Sequence, residues 1–375
     1  MSPWPAAARF MASIPHTAAV LAAAALAAGC VTQGGALCAP EPAMVIGLQG
    51  GGSEDLAVLP LDAAGTTTRL FLREICDGTD APRCRPGQWR VGSVDVGKDN
   101  VPASTRHAWR PEGKEGEHTF EPLGMSLVPD DAPGAATLFI ADIGRRAAVR
   151  IWQLRIEGGE VVDARLAAPA DADAGSRLAG ANSLQPVRDG SGFRLYVTRF
   201  DEYGLLPWRP TPWPALVQVR DGRLLEPANQ DFRNANGIID ACPGCNHLVV
   251  ASYWERRLRF ASKNSGEIGG YASAELPIRP DNLRLDGERI LIGGQHRVDL
   301  TALNLLVSSR IPSPSAVYAV DARSLGPDAV PTLLWEGGWR QGHSVTTAVA
   351  LPNERLAIGQ INTPTILVVD CSARP

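Results

Sequence analysis

The sequence predicts an all-β fold, and three observations carry that prediction. The 38 Gly and 30 Pro residues are spread along the chain rather than clustered, which marks many short elements joined by turns. Past the N-terminal stretch, no segment keeps apolar residues at i, i+3 and i+4 over about ten positions, as an amphipathic helix would. One strand pattern, finally, recurs six times.

In each unit a polar or glycine-bearing pair leads a strand-like segment, and a purely apolar strand follows. The leading pairs are Glu54 and Asp55, Leu123 and Gly124, Asn182 and Ser183, Asn236 and Gly237, Asp281 and Asn282, and His343 and Ser344. The apolar strands that follow begin at Arg69, Leu138, Leu195, Leu248, Ile290 and Leu356. The units are spaced by about 45–70 residues, and most hold a further strand–turn–strand piece, as at 149–156, 215–224 and 316–321. A repeat of three or four short strands is the signature of a propeller blade. A two-sheet sandwich would not explain six equivalent leading pairs. The expectation is a six-bladed β-propeller over residues 44–375, with a central channel and a Cys38–Cys371 bond closing the ring.

Composition bounds the rest. With 375 residues and 45% hydrophobic content, the chain can bury two ordinary domains or one large all-β domain. A net charge of −4 without a basic stripe argues against a nucleic-acid partner. Residues 1–30 read as an export signal: Arg9 precedes an Ala/Leu-rich stretch at 18–28 that ends on Cys30. That stretch is too short and too Ala-rich for a permanent span. Small residues before Cys30 resemble a bacterial lipobox, which would make Cys30 the lipidated first residue of the mature chain. Leu26 sits one place further from the cysteine than is usual, so ordinary signal cleavage stays open, as does a start at Met11. Either route exports the protein to the periplasm or cell envelope, with membrane contact only through a lipid on Cys30. Residues 31–43 then read as a short linker.

Six further cysteines, an even count in an oxidising compartment, read as disulfides. The C-x-x-C spacing of Cys242 and Cys245 fits a local turn staple. A redox pair or half a zinc site would need a thioredoxin-like context or a second such motif, and the sequence has neither. Cys76 and Cys84 would close a second local loop, and Cys38 and Cys371 would tie the two ends together.

Residues heading the innermost strands of a propeller converge on its axis. Glu54, Asn182, Asn236, Asp281 and Asn282 then form an all-oxygen set, which suits Ca²⁺ rather than zinc or copper. Its two carboxylates would neutralise a dication. The competing reading makes each Asn a turn residue in left-handed geometry.

The segments 52–56, 181–183, 234–238, 281–282 and 341–345, in this order and spacing, resemble the paraoxonase/arylesterase family, which is related to the gluconolactonase-like propellers. The resemblance runs from about Glu54 to Cys371. It implies a six-bladed propeller holding two calcium ions, a disulfide joining the chain ends, and action on lactones and aryl esters. By that resemblance Glu54, Asn182, Asn236, Asp281 and Asn282 fall on ligands of the catalytic calcium, and Asp55 on a ligand of the structural one. Departures follow. Ser183 stands where the family has a second acid for the structural ion, so that ion would be held more weakly or be absent. The family's His dyad falls on Leu123 and on Ile143, or with a slip of one on Asp142. Water activation would then fall to Glu54, Asp281, His343 or His296. His107 and His118 lie in a charged loop at 101–121.

No G-x-S-x-G elbow is present, which argues against a serine hydrolase. The Gly-rich run before Ser53 lacks the Lys of a phosphate loop. Trp208 and Trp213, in a Trp/Pro cluster at 206–214, would shape an apolar pocket at the rim. The expected function is a calcium-dependent hydrolase of a small lactone or aryl ester. The alternative is a metal-stabilised propeller without catalysis, acting as a cell-envelope scaffold.

Overall fold

The computed structural model describes residues 36–76, 87–99, 102, 104–112, 119–144, 149–168, 178–190, 192–200, 215–220, 223–225, 234–306, 311, 313–337, 344–361 and 363–372. The chain divides into two units, Met1–Gly35 and Ala36–Pro375. The first, where the sequence reading places an export signal and Cys30, lies outside the described residues. Among the described residues no helix is long and apolar enough to cross a membrane.

The second unit is six four-stranded antiparallel sheets. Five are made of consecutive strands. They are β2 (Leu56–Pro60), β3 (Thr67–Ile75), β4 (Trp89–Gly97) and β5 (Arg106–Trp109) in the first blade, and β6 (Pro122–Pro129), β7 (Ala136–Asp142), β8 (Arg150–Glu157) and β9 (Glu160–Ala168) in the second. The third holds β10 (Ala181–Asp189), β11 (Gly192–Arg199), β12 (Leu216–Arg220) and β13 (Arg223–Leu225). The fourth holds β14 (Ala235–Ile239), β15 (His247–Ser252), β16 (Arg257–Ser262) and β17 (Ile268–Tyr271). The fifth holds β18 (Arg279–Asp286), β19 (Arg289–Gln295), β20 (Ser315–Asp321) and β21 (Thr332–Gly337). The sixth joins β22 (Val345–Leu351), β23 (Arg355–Gln360) and β24 (Thr365–Asp370) to β1 (Met44–Gly47), which pairs β24 from outside. The leading strands touch in the closed order β2, β6, β10, β14, β18, β22 and back to β2. This is the six-bladed β-propeller that the repeat predicted.

Turn chemistry explains the hairpins. Gly158 and Gly159, both at positive φ (56° and 81°), make the two-residue link between β8 and β9 that strand twist favours. The carboxylate of Asp62 accepts from the amides of Thr66 and Thr67 and so fixes the turn into β3.

The core is divided. One apolar cluster fills each of the six blade–blade interfaces, such as Leu184, Leu195 and Val197 against Phe139, Ala141 and Ile151. Second strands are therefore covered on both faces: β7 is buried along its whole length. A strand buried on both faces reads as a continuous apolar run, which is why each repeat shows one.

Ring closure is double. β1 supplies the outer strand of the last blade, and Cys38 is bonded to Cys371 across a separation of 333 residues. On the chain-entropy account a loop of that length contributes about 5–6 kcal/mol. The described part of the predicted linker is not a free tether. Cys38 N–H donates to Leu334 O at 2.7 Å, Ala39 N–H to Asp370 O at 2.8 Å, and Trp335 Nε1 to Pro40 O at 3.2 Å. Cys242 and Cys245 form the local staple. Cys76 is disulfide-bonded, and Cys84, its expected partner, lies outside the described residues.

One helix departs from the all-strand expectation: α1 (Val298–Leu306), between β19 and β20. Buried Asn304 ties it down, donating to Ile311 O at 2.6 Å and accepting from Ser344 Oγ at 3.1 Å. Its apolar residues do not follow a helical stripe, so periodicity could not reveal it.

Candidate functional site

Strand register puts the leading pairs in equivalent places. β6, β10, β14 and β18 each slip by one residue against their partners, at Leu123–Gly124, Asn182–Ser183, Asn236–Gly237 and Asp281–Asn282. Each slip is a β-bulge, which bends the strand and re-aims a side chain. In the first blade the ladder starts at Leu56, directly after Glu54 and Asp55. In the sixth the slip falls at Thr346. The sixth leading pair is therefore Thr346 and Thr347 rather than His343 and Ser344; His343 lies outside the described residues.

Gly237 is explained by the neighbouring blade. A Cβ there would lie 2.5 Å from Asp281 O and 2.6 Å from Leu283 N, so its absence lets β14 and β18 close up. Gly124 does the same toward Asn182 O, at 2.3 Å. Both glycines permit close passage of two backbones.

Glu54, Asn182, Asn236, Asp281 and Asn282 are all buried and are brought together. Asn182 Nδ2 donates to Glu54 Oε1 at 3.3 Å, Asn282 Nδ2 to Glu54 O at 3.0 Å, and Thr346 Oγ1 to Glu54 O at 2.7 Å. Gln295 Nε2 spans Asp281 Oδ2 at 3.0 Å and Val345 O at 2.6 Å. Thr198 Oγ1 joins Ser183 O to Asn236 O in the next blade. Every amide nitrogen of the three asparagines that is accounted for points at protein, Asn236 toward the Asp281 carboxylate. The oxygens do not: Asn182 Oδ1, Asn236 Oδ1, Asp281 Oδ1 and Asn282 Oδ1 are buried with no hydrogen-bond partner. Such orphans are uncommon in folded proteins, and these four belong to the residues gathered around Glu54.

The electrostatics agree. Burial, then the Glu54 carboxylate, pushes the Asp281 carboxyl well above the usual range. Burial also raises Glu54, partly offset by Arg73, whose guanidinium lies 3.7 Å from Glu54 Oε2. Arg73 further donates to Gly52 O and Pro122 O. Glu54 thus faces an arginine, a positive charge beside the site that the sequence reading did not include.

Asp55 is differently placed. Its Oδ2 accepts from Met125 N–H at 2.7 Å, its Oδ1 from Leu56 N–H at 2.9 Å and from the Arg284 guanidinium. With an arginine on its carboxylate, Asp55 has both oxygens taken by N–H donors, unlike the four unpartnered oxygens above.

The remaining base candidates separate by position. Asp142 is fully buried and accepts from Glu121 N–H, Gly144 N–H and Trp152 Nε1, which commits its carboxylate to the loop after β7. His296 places Nδ1 3.3 Å from Pro277 O and Nε2 3.3 Å from Glu336 Oε1, on the outermost strand of its blade. His107 lies on β5, also an outer strand. Leu123 sits at the bulge of β6 and carries no proton. Trp208, Trp213 and His118 lie outside the described residues. An aromatic group that the sequence did not single out stands near the site instead. Phe200 and Trp254 pack edge-on against buried Tyr253, at 5.2 and 5.6 Å, and the Tyr253 phenol is raised by burial and by Asp281.

Arg73, Arg284, Gln295 and Thr346 were also missed. Arg284 had a signal, as a cation between two leucines in a leading strand, two residues after Asn282. Among the described residues no three His, Cys, Asp or Glu side chains cluster, since most donors here are carboxamides. Surface hollows of about 480 and 710 Å³ lie among hairpin tips, near Arg289 and Arg355, away from these residues.

No family model matches the chain, and no curated protein does. Solved structures do match. The WD40 β-propeller domain of Doa1 aligns at 11% identity and TM-score 0.45, over 88% of this chain and 96% of that one. A luciferin-regenerating enzyme aligns at 11% and 0.43, over 87% and 95%. TolB from Acinetobacter baumannii aligns at 10% and 0.43, over 80% and 63%. At these scores the likenesses carry no argument about the site, and the propeller assignment stands on the chain's own sheet order.

Proposed function

We propose that the chain is a calcium-dependent hydrolase of lactones or aryl esters, exported and held at the cell envelope through Cys30. The observation that carries this reading is the set of four buried, unpartnered oxygens on Asn182, Asn236, Asp281 and Asn282, gathered beside Glu54. The residues fit a hard dication: every donor is oxygen, two are carboxylates, and the amide nitrogens are turned away. Glu54, Asn182, Asn236, Asp281 and Asn282 would hold the ion. The chemistry that calcium supplies when bound is polarisation of an ester carbonyl.

The chain's own residues do the rest. Gln295 fixes Asp281 through Oδ2, and Arg73 and Asn182 fix Glu54, so both carboxylates are held rigidly. Held beside the ion, the Asp281 and Glu54 carboxylates are the base candidates among the described residues, since either would lie within reach of a water at the same place. His343 remains a third. Phe200, Tyr253 and Trp254 offer an apolar wall for an aryl or acyl group.

The test is turnover of a panel of lactones and phenyl esters, with calcium and with EGTA, for the wild type and Glu54→Gln. Turnover that needs calcium and is lost in the variant is expected. Turnover indifferent to EGTA would reject the reading.

A second reading rests on Leu123, which sits at the bulge of β6, where the resembled family has one His of its dyad. In it the ion only stabilises a scaffold protein. Calcium-dependent melting with no turnover across the panel would favour it.

A further inference from the structure

Below the unpartnered oxygens, two residues further along β18 than Asn282, Arg284 reaches across the channel. Its Nε donates to Leu56 O at 2.7 Å, one Nη to Leu283 O at 2.6 Å, and the other to Met125 O at 2.7 Å and to Asp55 Oδ1. The acceptors are three backbone carbonyls and a carboxylate from the first, second and fifth blades. An all-oxygen cage of carbonyls and one carboxylate is the usual coordination shell of a hard cation. Here a guanidinium fills it. Asp55 is fully buried and Arg284 nearly so, so neither charge is satisfied by solvent. All three donors to Asp55 are N–H groups, an arrangement that favours the ionised carboxylate.

We infer that the Arg284 guanidinium is a built-in cation standing in the place of a second metal ion, so that this chain takes one divalent ion and not two. The inference deepens the calcium reading and rests on it for the first ion, but the Arg284–Asp55 pair can be tested without metal. A second dication in the same cage would face the guanidinium at contact distance with no further carboxylate to offset it. Ser183, where the resembled family has an acid, is consistent with a cage that no longer needs to balance a dication. The arginine also bolts non-adjacent blades together across the channel, the structural duty that a deep ion would otherwise perform.

The test uses the full-length chain. Equilibrium dialysis against calcium, read by metal analysis, is expected to give about one ion per wild-type chain and about two for Arg284→Met. Two ions in the wild type, or one still in the variant, overturns the inference. In EDTA, Arg284→Met and Asp55→Asn are each expected to lower the melting temperature by roughly 5–10 °C, and the double variant by clearly less than the sum. Additive losses overturn the pairing. A wild type that binds no calcium rejects the proposed function, while the EDTA comparison still decides whether Arg284 is the counter-ion of Asp55. Should Arg284→Met not fold, wild-type stoichiometry alone remains decisive.

Discussion

Asn182 gives its amide nitrogen to Glu54 Oε1 at 3.3 Å, and this leaves its own Oδ1 buried and without a partner. The bond sets the polarity of the site, because an amide that donates to one acid presents its oxygen to whatever lies on the other side. Asp281 shares the arrangement, with Oδ2 held by Gln295 and Oδ1 unpartnered. Two buried carboxylates without a counter-ion repel, so the empty site costs stability and the filled site returns it.

Asp281→Asn should therefore act with opposite signs on the two states. In chelator the variant should melt at or above the wild-type temperature, since a buried charge beside Glu54 is gone. In calcium it should lose the stabilisation of the wild type, about 3 kcal/mol at a hundredfold excess over Kd. Scanning calorimetry with and without EGTA reads both. A variant less stable than wild type by the same margin in both conditions would make Asp281 purely structural.

Arg73 tunes the same site. Its guanidinium lies 3.7 Å from Glu54 Oε2 and competes with any cation for that carboxylate. Arg73→Met should tighten calcium binding by at least about tenfold, because a nearby positive charge that repels the ion is removed. Because Arg73 also ties Gly52 O and Pro122 O, the same variant should melt lower in chelator. Titration calorimetry showing unchanged or weaker affinity would exclude the electrostatic role.

The blades were legible in the sequence because each second strand packs apolar side chains on both faces and each leading strand begins with a polar or glycine pair. The ligand positions were legible for the same reason, as a repeated place in a repeated unit. What could not be read was contact across the ring. Arg284 and Asp55 are 229 positions apart, and no local pattern joins them. The sixth pair was misplaced by three residues, since a bulge at Thr346 looks locally like any strand residue. The role of Gly237 was not legible either, because the sequence shows that a Cβ is missing but not what stands in its place.

Gly237→Ala tests that last point. The added Cβ would lie 2.5 Å from Asp281 O, and rigid backbone on both sides leaves it no room. Destabilisation of about 1–3 kcal/mol is expected, together with weaker calcium binding, because β18 carries Asp281 and Asn282 and must shift. Gly244→Ala, in open space at the disulfide turn, is the control and should do neither. Equal effects of the two variants in urea melts would remove the blade-contact explanation.

His296 should govern part of the acid response. Burial holds its pKa below the ordinary imidazole value, against the pull of Glu336 at 3.3 Å. The unfolded chain then binds the proton more readily than the folded one, so folding stability falls as pH drops through about 6.5 toward the lower folded value. Above that window the imidazole is neutral in both states and contributes no slope. His296→Gln removes the titration but keeps an amide able to meet Pro277 O. The difference in unfolding free energy between wild type and variant should change between pH 7.5 and 5.5, with the wild type losing more on acidification. Parallel urea-melt profiles over that range would show that His296 titrates alike in the folded and unfolded chains, contrary to its packed position between Pro277 and Glu336.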